Sequence, residues 1–180
     1  MTKARTLADF NTTAIPTSSI TNLVQGITLV DTWVMTANQT ITAGQATMNF
    51  PWSRETQDGF SNIGTMTESN GVFSFPSTGV YRVDAHICFE ATAASDRMGI
   101  QIHVTTDNST YDVRTEQVNS CSTNGHKISA MTSAIVDVTN INNVKVKPVY
   151  YASTSGSNAT IFGSATLART FVQFTRLADT

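Results

Sequence analysis

From Val80 to Glu90 the chain alternates without a break: Tyr81, Val83, Ala85, Ile87 and Phe89 fall on one parity, and Arg82, Asp84, His86, Cys88 and Glu90 on the other. Successive side chains of a strand point to opposite faces, so a run this long predicts a strand with one buried face. The next segment repeats the pattern, with Met98, Ile100, Ile102 and Val104 opposite Gln101, His103 and Thr105. It ends in the turn cluster Asp107-Asn108-Ser109, which leads to Tyr111 and Val113. These two apolar faces are expected to lie next to one another in a common core.

Other strand-length segments are Ile27 to Ala37, which carries Trp33, and Thr47 to Trp52, where Pro51 points to an edge or a bulge. Thr65 to Glu68 and Val72 to Phe75 flank Ser69-Asn70-Gly71, and its Asn-Gly pair is a strong hairpin signal because both residues tolerate positive φ. Ile128 to Val138, Val144 to Tyr151 and Thr170 to Leu177 complete the set, and nothing of length has a helical period. The expectation is an all-β sandwich of eight to ten strands.

Met1 to Gly26 has no sustained period, and Pro16 interrupts it before Thr17-Ser18-Ser19. This segment is expected to be an extended arm, with residues 27–180 forming one domain; the 180-residue length suits that division. Only 13% of residues are charged and the net charge is -2, so no basic field marks nucleic acid or an anionic membrane as a partner. Thr occurs 30 times, a bias toward β-branched polar residues that agrees with the sandwich. No apolar run approaches the ~20 residues of a membrane span, and the first residues lead into no signal-peptide core, so synthesis in the cytoplasm is expected. Cys88 and Cys121 are two thiols rather than a disulfide framework; a bridge between them is open, and Cys88, on the parity away from the core, is expected to be a free thiol at an interface. Sequons at Asn11, Asn38, Asn108 and Asn158 are expected to be silent, since a chain rich in Thr and Asn produces them by chance.

The stretch Gly71-Val72-Phe73-Ser74-Phe75-Pro76-Ser77-Thr78-Gly79-Val80-Tyr81 resembles the signature of the complement C1q and tumour-necrosis-factor superfamily, in which a Gly-x-Phe-x-Phe strand meets a tight turn and a Gly-x-Tyr strand. The physical logic agrees: Phe73 and Phe75 would point inward, Pro76 and Gly79 would fix the turn, and Tyr81 would open the long buried strand. Phe171-Val172-Gln173-Phe174 resembles the family's closing aromatic strand without its usual small residues, so the resemblance runs from about Ile27 to Leu177. Two short pieces, Lys3-Ala4-Arg5-Thr6-Leu7-Ala8-Asp9-Phe10 and Thr106-Asp107-Asn108-Ser109-Thr110-Tyr111, are similar to C1q-like modules of marine and cyanobacterial bacteriophages. The resemblance implies a C1q/TNF-like jelly roll that assembles as a homotrimer, with apolar residues left over from the core lining the seam.

Candidate chemistry is sparse. His86, His103 and His126 have no His-x-x-x-His spacing. His86 and His103 share outward parity on strands that can be neighbours, with Asp84 and Glu90 on the face of His86; a zinc or trimer-axis site and exposed strand histidines are the two readings, the second being the simpler. Asp58, Asp96 and Asp107-Asn108 sit in loops where a calcium ion could bind, and some superfamily members bind calcium near the trimer apex, but these residues lack dense ligand spacing, and turns closed by side-chain hydrogen bonds explain them. Trp33, Trp52 and Phe60 form either a sugar-stacking platform or core and seam packing. No nucleophile-elbow motif is present. No catalytic residue, metal ligand or cofactor is therefore assigned.

The function implied is that of a bacteriophage virion structural protein. The arm, through Lys3, Arg5, Leu7 and Phe10, would dock the trimer on the major capsid protein or another virion protein as a capsid decoration. A tail-fibre tip that binds a host surface glycan or receptor is the alternative. Residues 1–26 reach at most ~90 Å when extended and hold no heptads for a shaft, which suits direct docking on the virion surface.

Overall fold

The computed structural model describes residues 26–90, 97–121, 123, 125–153 and 159–180. The arm, with Lys3, Arg5, Leu7 and Phe10, lies outside the described residues apart from Gly26, as do Asp96 and the sequon asparagines Asn11 and Asn158. Among the described residues there are thirteen strands and no helix.

One sheet contains seven strands: β1 (Val30–Met35), β2 (Gln39–Ile41), β4 (Trp52–Arg54), β7 (Gly79–Glu90), β10 (Lys127–Val138), β12 (Ala159–Ile161) and β13 (Phe171–Ala178). The other contains six: β3 (Gly44–Thr47), β5 (Thr67–Ser69), β6 (Val72–Ser74), β8 (Arg97–Thr105), β9 (Asp112–Ser120) and β11 (Lys145–Ser153). The alternating segment, β7, is the spine of the larger sheet. It pairs antiparallel with β10 along one edge; its other edge is shared by β13 and, at the Glu90 end, by β12. Beyond β13 come β1 and then the edge strand β4. In the smaller sheet β11 pairs with β8 on one side and changes partner on the other, from β6 at Lys145–Val146 to β3 at Val149–Ala152. Pro148, which has no N–H to donate, stands at that change.

The alternation is realised in the packing. Tyr81, Val83, Ala85, Ile87 and Phe89 are fully buried, and Met98, Ile100 and Ile102 face them from the opposite sheet. Phe73 on β6 is the hub between the sheets, with ring centroids 5.7 Å from Trp33, 5.9 Å from Trp52 and 5.1 Å from Phe174. Phe75 lies 4.6 Å from Tyr81 and 6.1 Å from Phe174. Both aromatic residues of the motif are therefore inward, as expected. Asn70 and Gly71 have φ of 53° and 78°, so the β5–β6 hairpin turns through two left-handed residues. Gly79 has φ of 143°, and a Cβ there would stand 2.7 Å from the Ala178 carbonyl oxygen. The Tyr81 hydroxyl donates to the Ser77 carbonyl (3.0 Å) and pins the turn before it, while Pro76 is exposed at that turn.

The apolar faces of β7 and β8 do meet in a common core, as expected, though from opposite sheets rather than as neighbouring strands. Two expectations change. The expected strand Thr47–Trp52 is instead a crossing between sheets, from β3 to β4, because Pro51 cannot join a ladder through its nitrogen and its carbonyl accepts from the Thr36 N–H and hydroxyl. The strand count exceeds eight to ten because β2, β3 and β12 are three- or four-residue strands fixed by backbone pairing, and because β9 runs on to Ser120 as a largely exposed edge with little apolar patterning.

Candidate association face

The face of the seven-stranded sheet turned away from the core can be followed across the ladder, since residues paired directly share a face. One row runs Ser53–Val34–Phe171–His86–Met131, and the next Thr32–Gln173–Asp84–Ser133. A third runs Ile63–Val30–Thr175–Arg82–Ile135, the first step being an isolated bridge. Three large apolar side chains stand on this side exposed to solvent: Ile135 (65%), Met131 (47%) and Ile63 (47%). They make this face the candidate for an interaction surface.

The middle row is polar and hydrogen-bonded within the chain. Gln173 Nε2 donates to Thr32 Oγ1 (2.8 Å), the Ser133 hydroxyl donates to Asp84, and Arg82 Nε donates to the Asp84 carboxylate (2.9 Å). Asp84 is buried even within the single chain. At the Glu90 end, Lys127 pairs opposite Glu90 and sits 4.7 Å above the Phe162 ring. His86 stacks on Phe171 at 5.2 Å, with its Nδ1 2.7 Å from the Arg169 carbonyl oxygen. Cys88 is half-buried on the same face, and burial pushes its thiol up from the usual range against the pull of Arg169 and Lys127. Cys121 is buried elsewhere, and both thiols are free.

The outer face of the smaller sheet carries a different cluster. His103 Nε2 lies 2.7 Å from Gln101 Oε1, Gln101 Nε2 donates to Glu116, and Lys147 Nζ sits 4.2 Å from the Tyr111 ring centre. Burial, reinforced by Lys147, holds the His103 imidazole below its ordinary value, with Asp112 opposing.

The proposed histidine pair is not assembled: His86 and His103 stand on the outer faces of opposite sheets, with the core between them. His126 is exposed. Among the described residues no group of three His, Cys, Asp or Glu side chains is placed to hold a metal ion. Asp107 closes a turn: its carboxylate accepts from the Thr105 hydroxyl (2.7 Å) and from the N–H groups of Ser109 (2.9 Å) and Thr110 (2.8 Å), which hold it well below the usual carboxylate range. Asp58 is exposed in a separate loop. No sugar platform forms either, since Trp33 and Trp52 both pack edge-on against Phe73 while Phe60 stands apart, exposed.

Sequence reasoning missed Asp31. It is fully buried and accepts from Trp33 Nε1 (2.9 Å), Arg54 Nε (2.8 Å) and the Met66 N–H (2.7 Å), tying β1 to the edge strand and to the start of the hairpin. The available signal was parity, because an acid sharing the inward register of Leu29, Trp33 and Met35 must find partners.

The chain matches no protein-family model, and no curated protein is similar to it in sequence. Solved structures are similar in shape. Eiger TNF from S. frugiperda superposes with a TM-score of 0.64 at 14% identity, over 87% of this chain and 96% of that one. Murine APRIL at pH 5.0 superposes with a TM-score of 0.60 at 12% identity, over 83% of this chain and 98% of that one. The fold is a TNF-like jelly roll. Nearly the whole of each neighbour's chain is covered, so the likeness concerns the sandwich rather than a shared hairpin. The motif from Gly71 to Tyr81 lies in its aromatic centre.

Proposed function

We propose that this jelly roll is a non-catalytic homotrimer that serves as a structural knob of a bacteriophage particle, a capsid decoration docked by its N-terminal arm. The observation that carries the reading is the outer face of the seven-stranded sheet. Its exposed apolar residues Met131, Ile135 and Ile63 stand in the two rows that flank a polar row whose members are already hydrogen-bonded to one another, so contact there leaves few polar groups to be satisfied by a partner. The same face carries both signs of charge, Arg82 and Lys127 with Asp84, Glu90 and Asp137, which favours a second copy over a strongly charged partner. Threefold symmetry follows from the resemblance of the Gly71–Tyr81 motif, and the virion role from the similarity of Lys3–Phe10 and Thr106–Tyr111 to phage modules. In this reading the protein is made in the host cytoplasm and displayed on the virion surface, with Lys3, Arg5, Leu7 and Phe10 contacting the major capsid protein or another virion protein.

The His103–Gln101–Glu116 cluster with Lys147 and Tyr111, on the opposite outer face, favours the alternative of a tail-fibre tip that adheres to a host glycan or receptor. Counting copies per particle separates the two: on the order of hundreds supports a decorated shell, whereas a few dozen or fewer supports the tail. Deletion of Met1 to Gly26 is expected to leave a folded trimer that no longer binds particles; retained binding would move the docking site onto the jelly roll.

A further inference from the structure

We infer that Arg82 sets the register of the association face by donating the free edge of its guanidinium to an acceptor oxygen of a second copy. The inference rests on the self-association reading above. Arg82 spends its Nε on Asp84, while its two terminal amino groups find no acceptor among the described residues, and the side chain remains 51% exposed. Its place is the decisive point. Arg82 lies directly across the ladder from Ile135, the most exposed apolar residue of the face, and two residues along β7 from buried Asp84.

When the exposed apolar residues of the face are covered, Arg82, paired opposite Ile135, is covered with them. A guanidinium removed from water with only one of its donors used is costly unless a partner supplies oxygen. Thr32, Asp84 and Ser133 are hydrogen-bonded within one chain and ask for no particular register. Arg82 does not, and its planar fork accepts few geometries. It therefore admits those arrangements of two copies that bring an oxygen to its outer edge and disfavours slipped ones, much as a single polar residue in an apolar coiled-coil seam selects one register.

The test compares Arg82→Lys with the wild type, using the full chain. Lysine keeps a cation beside Asp84, so the fold of each copy is preserved, but it has no second donor edge. Sedimentation velocity across a dilution series is expected to show the half-dissociation concentration raised about tenfold or more, with the far-UV spectrum and the unfolding midpoint of the dissociated chain unchanged. A second variant, Arg82→Gln with Asp84→Asn, removes both charges while keeping the row hydrogen-bonded, and is expected to associate weakly and in more than one species by native mass spectrometry. Association as tight and as uniform as the wild type in both variants overturns the role of Arg82 and leaves the face standing. A wild-type chain that remains monomeric at every concentration overturns the association reading itself, and this inference with it.

Discussion

Replacing Ile135 by serine separates the stability of one copy from the stability of an assembly. Ile135 is 65% exposed on β10 and faces away from the core, where its strand neighbours Ala134 and Val136 are buried. In an isolated copy the change is a surface substitution, expected to move the unfolding free energy by no more than about 0.5 kcal/mol. In an assembly the exposed part of the side chain is removed from water. Full burial of an isoleucine contributes roughly 1.5–3 kcal/mol, so the remaining two-thirds is worth about 1–2 kcal/mol for each copy. Three copies in a trimer lose about 3–6 kcal/mol together, or roughly two to four orders of magnitude in the three-body dissociation constant. Sedimentation velocity from micromolar to nanomolar protein, with urea unfolding of the dissociated chain as control, measures both quantities. Unchanged dissociation with a trimeric wild type would place Ile135 outside the seam. A large loss of stability in the dissociated chain would show that the parity of β10 is misassigned.

Phe75→Ala removes a ring packed on Tyr81 and Phe174 in the buried centre and is expected to cost on the order of 3–5 kcal/mol, read as a shifted urea midpoint at fixed protein concentration; a midpoint that barely moves would contradict the inward placement of the motif strand. His103 gives the protein a pH dependence of definite sign. Because its imidazole is held below the ordinary value of about 6.5, the unfolded chain binds the proton more readily, so stability rises with pH through that value and falls as pH drops beneath it. In His103→Gln the slope of unfolding free energy against pH between about 5 and 7.5 should flatten, and a steeper slope would show that the charged imidazole is favoured in the fold.

What was legible in the chain was whatever could be decided within one strand. The parity of Val80–Glu90 places Tyr81, Val83, Ala85, Ile87 and Phe89 in the core without knowledge of any partner strand, and Asn70-Gly71 specifies its hairpin from two residues. The Phe73 and Phe75 positions followed from the same local logic together with the motif. The strands that were missed are those held chiefly by pairing. β2, β3 and β12 each have three or four residues, too few for a period to show, and they exist because free backbone edges are offered to them: β3 pairs with β11, β12 with β7, and β2 in turn with β12. The supposed neighbour relation of His86 and His103 failed for a related reason: parity states which face of a strand a residue occupies, but not which sheet the strand joins.

The association face belongs to this second, non-local kind of information. Ile135 and Met131 read in the sequence as the less regular parity of a long strand, interleaved with Lys127, Ser129, Ser133 and Asp137, and Ile63 lies in a loop with no strand period at all. They become a surface only through register, because Ile135 stands across from Arg82, Arg82 from Thr175, Thr175 from Val30, and Val30 from Ile63. The same register explains why an acid is tolerated in the middle of that face. Asp84 has Ser133 on one flank and Gln173 on the other, and Arg82 precedes it on the same side of β7, so its charge is matched before any partner arrives. A core strand that needed only burial would be served by any small residue at that position. The carboxylate keeps Arg82 upright beside the apolar row, and it is through Arg82 that this face can distinguish one way of meeting a second copy from another.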